Sequence, residues 1–367
     1  MESRVLEGMR KRMPAEWEDQ EAVMVAFPHE DTDWGDIIEE AREQFTRLIY
    51  ALSFYGERVL VITRSKASTE EWLRSWFENE IGDRRSLERV TVIETPINDT
   101  WTRDYGPLSI VDTDTGKPYV CDFGFNGWGL KFEADLDNEV NHRLMESGVI
   151  DKNKYIDCRD FILEGGSLET DGKGTLLTTS ECLLNPNRNP TYCREEIEGL
   201  LRERLGFTRI LWLDHGHIPG DDTDSHIDTL CRLAPDDIIL YTSSGEDNDP
   251  CHKELELMRE QLASFRTPAG RPYHLVELPL PDTIRDEEGN RLAATYANYL
   301  VTPRCVYVPS YGQPHKDRLA VMTLQMVYTS RKVVPVNCRT LITQGGSLHC
   351  STMQLYPGTV NIRNNSR

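Results

Sequence analysis

The sequence predicts a mixed α/β fold, and three observations carry that reading. Apolar residues at helical spacing alternate with short apolar runs of strand length; hairpins, rather than single parallel strands, follow the helices; and one glycine motif occurs twice. Ile37, Ile38, Ala41, Phe45, Leu48, Ile49 and Leu52 mark a helix over 36–52, which Tyr55-Gly56 ends. RVLVIT (58–63) reads as a buried strand, TEEWLRSWFENEIG (69–82) as a helix with a Thr start and a Gly stop, and VTVIE (90–94) as the next strand. LSIVD follows as a strand. Further on come a helix near 135–147, strands at 160–163 and 175–179, a helix at 193–205 and a strand at 209–213. A strand pair flanks Pro235-Asp236 before a helix at 250–265. A second pair near 297–302 and 305–309 precedes a helix at 316–329 and a strand at 332–336. DTGK (114–117), DGKG (171–174) and DEEGN (286–290) carry hairpin chemistry. No linker or low-complexity run divides residues 1–367, so one compact unit is expected. Gly165-Gly166-Ser167-Leu168 returns as Gly345-Gly346-Ser347-Leu348, which fits copies of one supersecondary unit.

Composition narrows the function. A net charge of −20 argues against nucleic acid, whose phosphates require basic patches, and favours cationic small molecules. Nine cysteines, an odd number without C-x-x-C spacing, are expected to be reduced, as in a cytoplasmic protein. MESRVLEGMRKRMPAEWEDQ has no apolar core of a secretory signal, and no apolar run reaches the ~20 residues needed to cross a bilayer. The sequence leaves a homo-oligomer open.

Four stretches hold residues that can do chemistry. In ITQGGSLHCSTMQLYP, Cys350 follows two glycines and precedes a strand-prone run that stops at Pro357-Gly358. A thiol just past a glycine turn can serve as a nucleophile, although a lone cysteine packs equally well as a small buried hydrophobe. NDTWTRDYGP (98–107) gathers Asp99, Trp101, Arg103 and Asp104; carboxylate and aromatic face together suit a planar cation, while an Arg–Asp pair on a surface loop is the alternative. Glu164 ends an apolar strand before paired glycines, either as a buried orienting group or as an exposed strand end. In WLDHGHIPGDDTDSHIDTL, residues Asp221, Asp222, Asp224, His226 and Asp228 crowd together. If 226–230 is extended, alternation puts His226 and Asp228 on one face, an acid/base beside a carboxylate. A metal is the competing reading, with His215 and His217 as further donors. The spacing matches neither an EF-hand nor a zinc signature, so none is expected.

Taken in order, MPAEWEDQEAVMVAFPHEDTDW (13–34), WTRDYGP, FNGWG (125–129), LEGGS, TTSECLLNPNRNP, DDTDSHID and GGSLHC resemble the agmatine deiminase and Porphyromonas-type peptidylarginine deiminase family, over nearly the whole chain. The resemblance implies a pseudo-fivefold α/β propeller, a pentein of ββαβ units around a central active-site channel. It implies Cys350 as nucleophile, His226 as acid/base, Glu164 as its orienting partner, and Asp104 and Asp228 as the grip on a guanidinium. Trp101, Asp222 and Trp128 are implied at the substrate. Phe27-Pro28 stands where many agmatine deiminases have Trp-Pro, and STMQLYP replaces a Gln-rich run, which marks a side branch.

The implied reaction is deimination of a small cationic guanidine, without cofactor or metal. Agmatine, giving N-carbamoylputrescine on the route to putrescine, is favoured because Asp222 and Trp101 suit a cationic tail. Arginine or peptidylarginine deimination, amidino transfer, and an inactive polyamine-binding protein are the alternatives.

Overall fold

The computed structural model describes residues 6, 8–245 and 249–362; the N-terminal stretch read for a signal lies partly outside them. One strand pattern recurs in five sheets. An antiparallel pair is followed by a helix, and the chain returns as a third strand parallel to the second. Leu108–Asp112, Pro118–Gly124, helix Val140–Glu146 and Tyr155–Ile162 make the first, with Lys11–Arg12 added at its edge. Glu169–Thr170, Thr175–Thr179, helix Arg194–Leu205 and Arg209–Leu213 make the second. Cys231–Ala234, Ile238–Ser243, helix His252–Ser264 and His274–Pro279 make the third. Leu300–Val301, Cys305–Ser310, helix Pro314–Val327 and Lys332–Asn337 make the fourth. The fifth joins distant parts of the chain. Met353–Leu355 pairs antiparallel with Ala22–Ala26, which runs parallel to Val59–Thr63 after helix Ile38–Phe54, and Val90–Glu94 extends the sheet.

The pattern follows from strand geometry. A short turn closes an antiparallel pair, whereas a parallel pair needs a crossover, which the helix supplies. Central strands such as AVMVA, VLVIT and TLLTT are buried along their whole length, as strands covered on both faces should be. Their side chains feed a large apolar cluster, and a smaller one lies around the third sheet and helix His252–Ser264, with Trp17 packed against both.

Several expectations are corrected. In each of the five sheets the helix is followed by a single strand parallel to the one before it, not by a hairpin, because the helix is the crossover between them. Residues 226–230 are not extended: Ile227–Leu230 is a helical turn, and the strand begins at Cys231. Strands Ala22–Ala26 and His274–Pro279 have no counterpart in the sequence reading; the first is uniformly buried and lacks alternation, the second has an irregular pattern of exposure. The strand at 160–163 is the end of a longer one, Tyr155–Ile162. The helix at 69–82 begins earlier, at Lys66, and its last turn, Trp76–Ile81, widens to a π-helix before left-handed Gly82. DEEGN closes only a single bridge, Arg285 to Arg291.

The layering is tested by contrasting Leu60, fully buried at the centre of the fifth sheet, with Phe54, 52% exposed. Leu60→Ala is expected to cost about 2–5 kcal/mol in a denaturant titration, and Phe54→Ala less than about 1 kcal/mol.

Candidate active site

Each crossing from the last strand of one unit to the first strand of the next carries at least one of the site residues. Asp104 follows Val90–Glu94, Glu164 follows Tyr155–Ile162, and His226 and Asp228 follow Arg209–Leu213. Asn298 follows His274–Pro279, and Cys350 follows Lys332–Asn337. Residues far apart in sequence therefore meet because the units present the same end to one place.

Asp104 lies on the short helix Thr102–Tyr105 and is 3% exposed. One carboxylate oxygen accepts the backbone N–H of Gly166 at 2.9 Å, and the other accepts Nε1 of Trp128 at 2.9 Å. Trp128 reaches it from a loop in which Gly127, Trp128, Gly129 and Leu130 all take positive φ, a conformation costly for the two non-glycine residues. Burial raises the Asp104 carboxyl to about 6, with the charges of Asp228 and Glu164 adding to it against the pull of His226. Arg103 does not pair with a carboxylate on its own loop. Its backbone N–H donates to the Cys350 carbonyl at 3.1 Å and its Nε to that of His349 at 3.4 Å, tying this stretch to the cysteine loop.

His226 stands between two carboxylates. Its Nε2 lies 2.8 Å from Glu164 Oε2 and its Nδ1 is 3.6 Å from Asp104 Oδ1. Burial alone would pull the imidazole down, but Asp104, Cys182 and Glu164 outweigh it and hold the ring protonated well above its ordinary value. Arg188 pins Glu164 from behind, its Nε 3.1 and 3.2 Å from the two oxygens and its Nη2 3.0 Å from one. Arg188 also bonds Asp224, which with Ser225 takes a left-handed conformation immediately before His226. The turn Ile227–Leu230, rather than strand alternation, then carries Asp228 into the same centre.

Cys350 is 7% exposed. Asn298 holds its sulfur with Nδ2 at 3.2 Å, and its Oδ1 accepts the backbone N–H of His349 at 2.8 Å and of Cys350 at 3.3 Å. Burial, then the negative charges of Asp228 and Asp104, push the thiol well above its ordinary value. Asp228 is fully buried; Oδ2 pairs with His349 Nδ1 at 2.7 Å, while its Oδ1 and His226 Nδ1 have no hydrogen-bond partner among the described residues. Buried polar atoms are rarely left so; His226 Nδ1 lies 3.6 Å from Asp104 Oδ1, and the charge of Asp228 acts on Cys350.

A cavity of about 290 Å³ opens over Cys350, lined by Asp104, Trp101, Trp128 and Asp222 among others. A larger one of about 630 Å³ shares Asp33, Trp128 and Phe132 with it but reaches none of the five expected catalytic residues. Gly345 and Gly346 line the smaller cavity, and Gly166 makes room between His226 and Asp104. A Cβ on Gly166 would stand 2.6 Å from His226 Nδ1 and 2.7 Å from Asp104 Oδ1; one on Gly346 would stand 2.2 Å from the Trp101 ring. Gly345, at φ +81°, brings its backbone against the carboxylate of Asp222. Asp221 and Asp224 are used differently. Asp221 accepts from Thr223 and Ser225 within the loop, and Asp224 binds Arg188 and Lys131. Asp99 likewise caps its own loop, accepting the Thr100 N–H at 2.6 Å.

The structure thus brings together Asp104, Glu164, His226, Asp228 and Cys350, with Trp101, Trp128 and Asp222 around the cavity. It adds Asn298, Arg188, Glu16 and His349, which reading the chain did not single out. Asn298 sits in no recognisable pattern, and His349 and Arg188 lay in quoted stretches without a chemical reason to choose them. His215 is half-buried, and its Nδ1 lies 3.7 Å from Glu254. Glu164, Cys182 and His226 place metal-ligand atoms within 4.8 Å of one another, but Arg188 already supplies the positive charge against Glu164. Gly166→Ala is expected to fold and to lose at least about 100-fold in kcat/KM, because the methyl displaces His226 or Asp104 by more than an active site tolerates; steady-state kinetics and a melting curve check both halves.

Comparison with known proteins shows the family and the fold. Residues 12–356 match the model of the Porphyromonas-type peptidyl-arginine deiminase family. A structure from Porphyromonas gingivalis with a provisional arginine deiminase assignment superposes with TM-score 0.87 at 40% identity, covering 96% of this chain and 100% of that one. A cysteine-to-serine variant of C. jejuni agmatine deiminase with substrate bound superposes with TM-score 0.85 at 35% identity, covering 96% and 98%. Agmatine deiminase of Stutzerimonas stutzeri is 32% identical, over 93% of this chain and 94% of its own length. By sequence and by fold, this chain belongs to the Porphyromonas-type peptidyl-arginine deiminase family.

Proposed function

We propose that the chain is a hydrolase of linear amidines that deiminates a small guanidine, agmatine first, to N-carbamoylputrescine and ammonia through a covalent intermediate on Cys350. The observation that carries this is the pair of buried, unpartnered atoms, Asp228 Oδ1 and His226 Nδ1, set with Asp104 around a protonated thiol. A guanidinium is planar, always charged, and carries N–H groups in a fixed fork, so it satisfies acceptors on two carboxylates at once. In this reading the five sheets close into a pseudo-fivefold propeller, one catalytic unit with the cavity at its axis. All nine cysteines are thiols, which fits a cytoplasmic setting.

The chemistry follows from the charges. Asp104 and Asp228 raise the thiol; a guanidinium between them cancels that effect, and Cys350 loses its proton to solvent only when substrate is in place. The thiolate attacks the central carbon. His226, already an imidazolium, gives its proton to the departing nitrogen, which leaves as ammonia. The thiouronium that remains is attacked by water, whose proton returns to His226, and expulsion of the thiolate releases the ureido product. Glu164, fixed by Arg188, keeps the ring oriented through both proton transfers.

The tail of the substrate decides between agmatine and arginine. The cavity is lined by Asp33, Asp221, Asp222 and Asp286 beyond Asp104, against a single arginine among the described lining residues, Arg291. Arg291 is held by Asp249 at 3.1 and 3.3 Å. An ammonium tail is therefore favoured over an α-carboxylate. Relatives bearing arginine deiminase names keep arginine as the second reading.

Ammonia release from agmatine, arginine and arginyl peptides separates the two; agmatine is expected to dominate, and dominant arginine turnover overturns the substrate assignment. Cys350→Ala is expected to abolish turnover with an unchanged melting temperature. Asp222→Asn is expected to raise KM for agmatine about tenfold with kcat little changed, the signature of a lost tail contact. On the acid side, kcat/KM is expected to fall as pH drops through about 6, where Asp104 takes up a proton and loses its attraction for the guanidinium. Alkylation of Cys350 in the empty enzyme by neutral iodoacetamide, followed on its own peptide because Cys193 is exposed, is expected to be slow at pH 7, rising only above the ordinary thiol value of about 8.5.

A further inference from the structure

Glu16 belongs to the MPAEWEDQ stretch, and the proposed chemistry gives it no part. It is nevertheless buried beneath the cysteine loop, 7% exposed. Its Oε1 accepts the Val301 N–H at 2.6 Å, and its Oε2 accepts Nη2 of Arg232 at 2.8 Å. The same Oε2 lies 2.7 Å from His349 Nε2, and on the far side of that ring Nδ1 lies 2.7 Å from Asp228 Oδ2. His349 is 1% exposed and precedes Cys350 in the chain.

An imidazole between two carboxylates at these distances needs one proton in each contact, since two acceptors facing each other so closely repel. Either a carboxylate is protonated or the ring is an imidazolium. Burial opposes the charge on both carboxylates, yet Arg232 and His349 keep Glu16 far below the usual range, and His349 keeps Asp228 lowered. The charged groups around the ring are Glu16, Asp228, Arg103 and Arg232, with Glu169 beyond. Burial, then Arg103 and Arg232, pull the ring below its ordinary value against the charge of Glu16 and the hydrogen bond to Asp228. Glu169 takes the Nε of Arg232, and Arg103 approaches Glu16 only to 3.9 Å. The geometry argues the other way: with both carboxylates ionised, contacts of 2.7 Å at both nitrogens need a proton on each.

We propose that Glu16 is a positioning residue: it holds His349 doubly protonated, so that His349 ties down Oδ2 of Asp228 and leaves Oδ1 turned to the substrate. The inference rests on the guanidine reading above for what Oδ1 receives, but the relay itself is a property of the unliganded protein. Without the second proton, His349 could donate to only one carboxylate, and Asp228 would be free to rotate away from the guanidinium.

The test uses the full-length protein labelled with ¹⁵N-histidine. At pH 8, the His349 ring, identified by the signals missing from His349→Gln, is expected to carry protons on both nitrogens; a neutral tautomer overturns the proposal. In Glu16→Gln the ring is expected to become neutral, with KM for the best guanidine substrate up about tenfold or more and kcat changed less than about threefold. A folded Glu16→Gln with unchanged KM also overturns it. If Glu16→Gln does not fold, the wild-type ring signal decides alone. That signal is read without substrate, so failure of the guanidine assignment and failure of the relay are told apart.

Discussion

The cost of burying like charge together governs the centre of this protein. Glu16, Asp104, Glu164 and Asp228 are all at least nine-tenths buried, in two neighbouring sets, one through His226 and one through His349, close enough for the charge of Asp228 to act on Asp104. Carboxylates in such surroundings either take up protons or acquire cations. Arg188 and His226 serve Glu164, Arg232 and His349 serve Glu16, and His349 serves Asp228. Asp104 is the least compensated, with hydrogen bonds from Gly166 and Trp128 but its nearest cation, His226, 3.6 Å away. The deficit of positive charge thus falls at the place where a cationic substrate is proposed to bind, which makes the substrate the last member of the network.

Compensation also explains the backbone. Bringing Asp104 and His226 within 3.6 Å of each other leaves no space for a side chain at Gly166, and seating Trp101 leaves none at Gly346. Left-handed conformations at Trp128 and Leu130, and at Asp224 and Ser225, lie on the two loops that deliver Trp128 and His226. Arg188 and Lys131 anchor the second of these loops through Asp224, and the ion pairs they make offset strain that a free loop would relax. The repeated glycine motif is therefore a spatial requirement met twice, once between Asp104 and His226 and once against Trp101.

The five recurring sheets determine where the network is built. Each parallel return leaves the chain at the same end of its unit, and the crossing to the next unit is the natural place for a functional side chain. The fifth sheet takes its antiparallel strand, Met353–Leu355, from just beyond Cys350 and pairs it with Ala22–Ala26 near the other end of the chain. Cys350 is thereby fixed between two paired strands, Lys332–Asn337 and Met353–Leu355.

Local chemistry determined what could be read along the chain. Helical periodicity placed the helices, apolar runs placed most central strands, and turn residues placed the hairpins at 114–117 and 171–174. Asp104 stood beside an aromatic ring in a motif that suited a planar cation, and His226 and Asp228 stood in an acidic cluster; Glu164 and Cys350 gained their roles from family resemblance. Tertiary structure decided the rest. No periodicity joins Ala22–Ala26 to Met353–Leu355, because their pairing spans almost the whole sequence. Asp228 reaches the centre through a helical turn that alternation misread. Glu16, Asn298 and Arg188 acquire meaning only beside His349, Cys350 and Glu164, since a buried charge or hydrogen bond is defined by its partner in space, and a sequence names one member at a time.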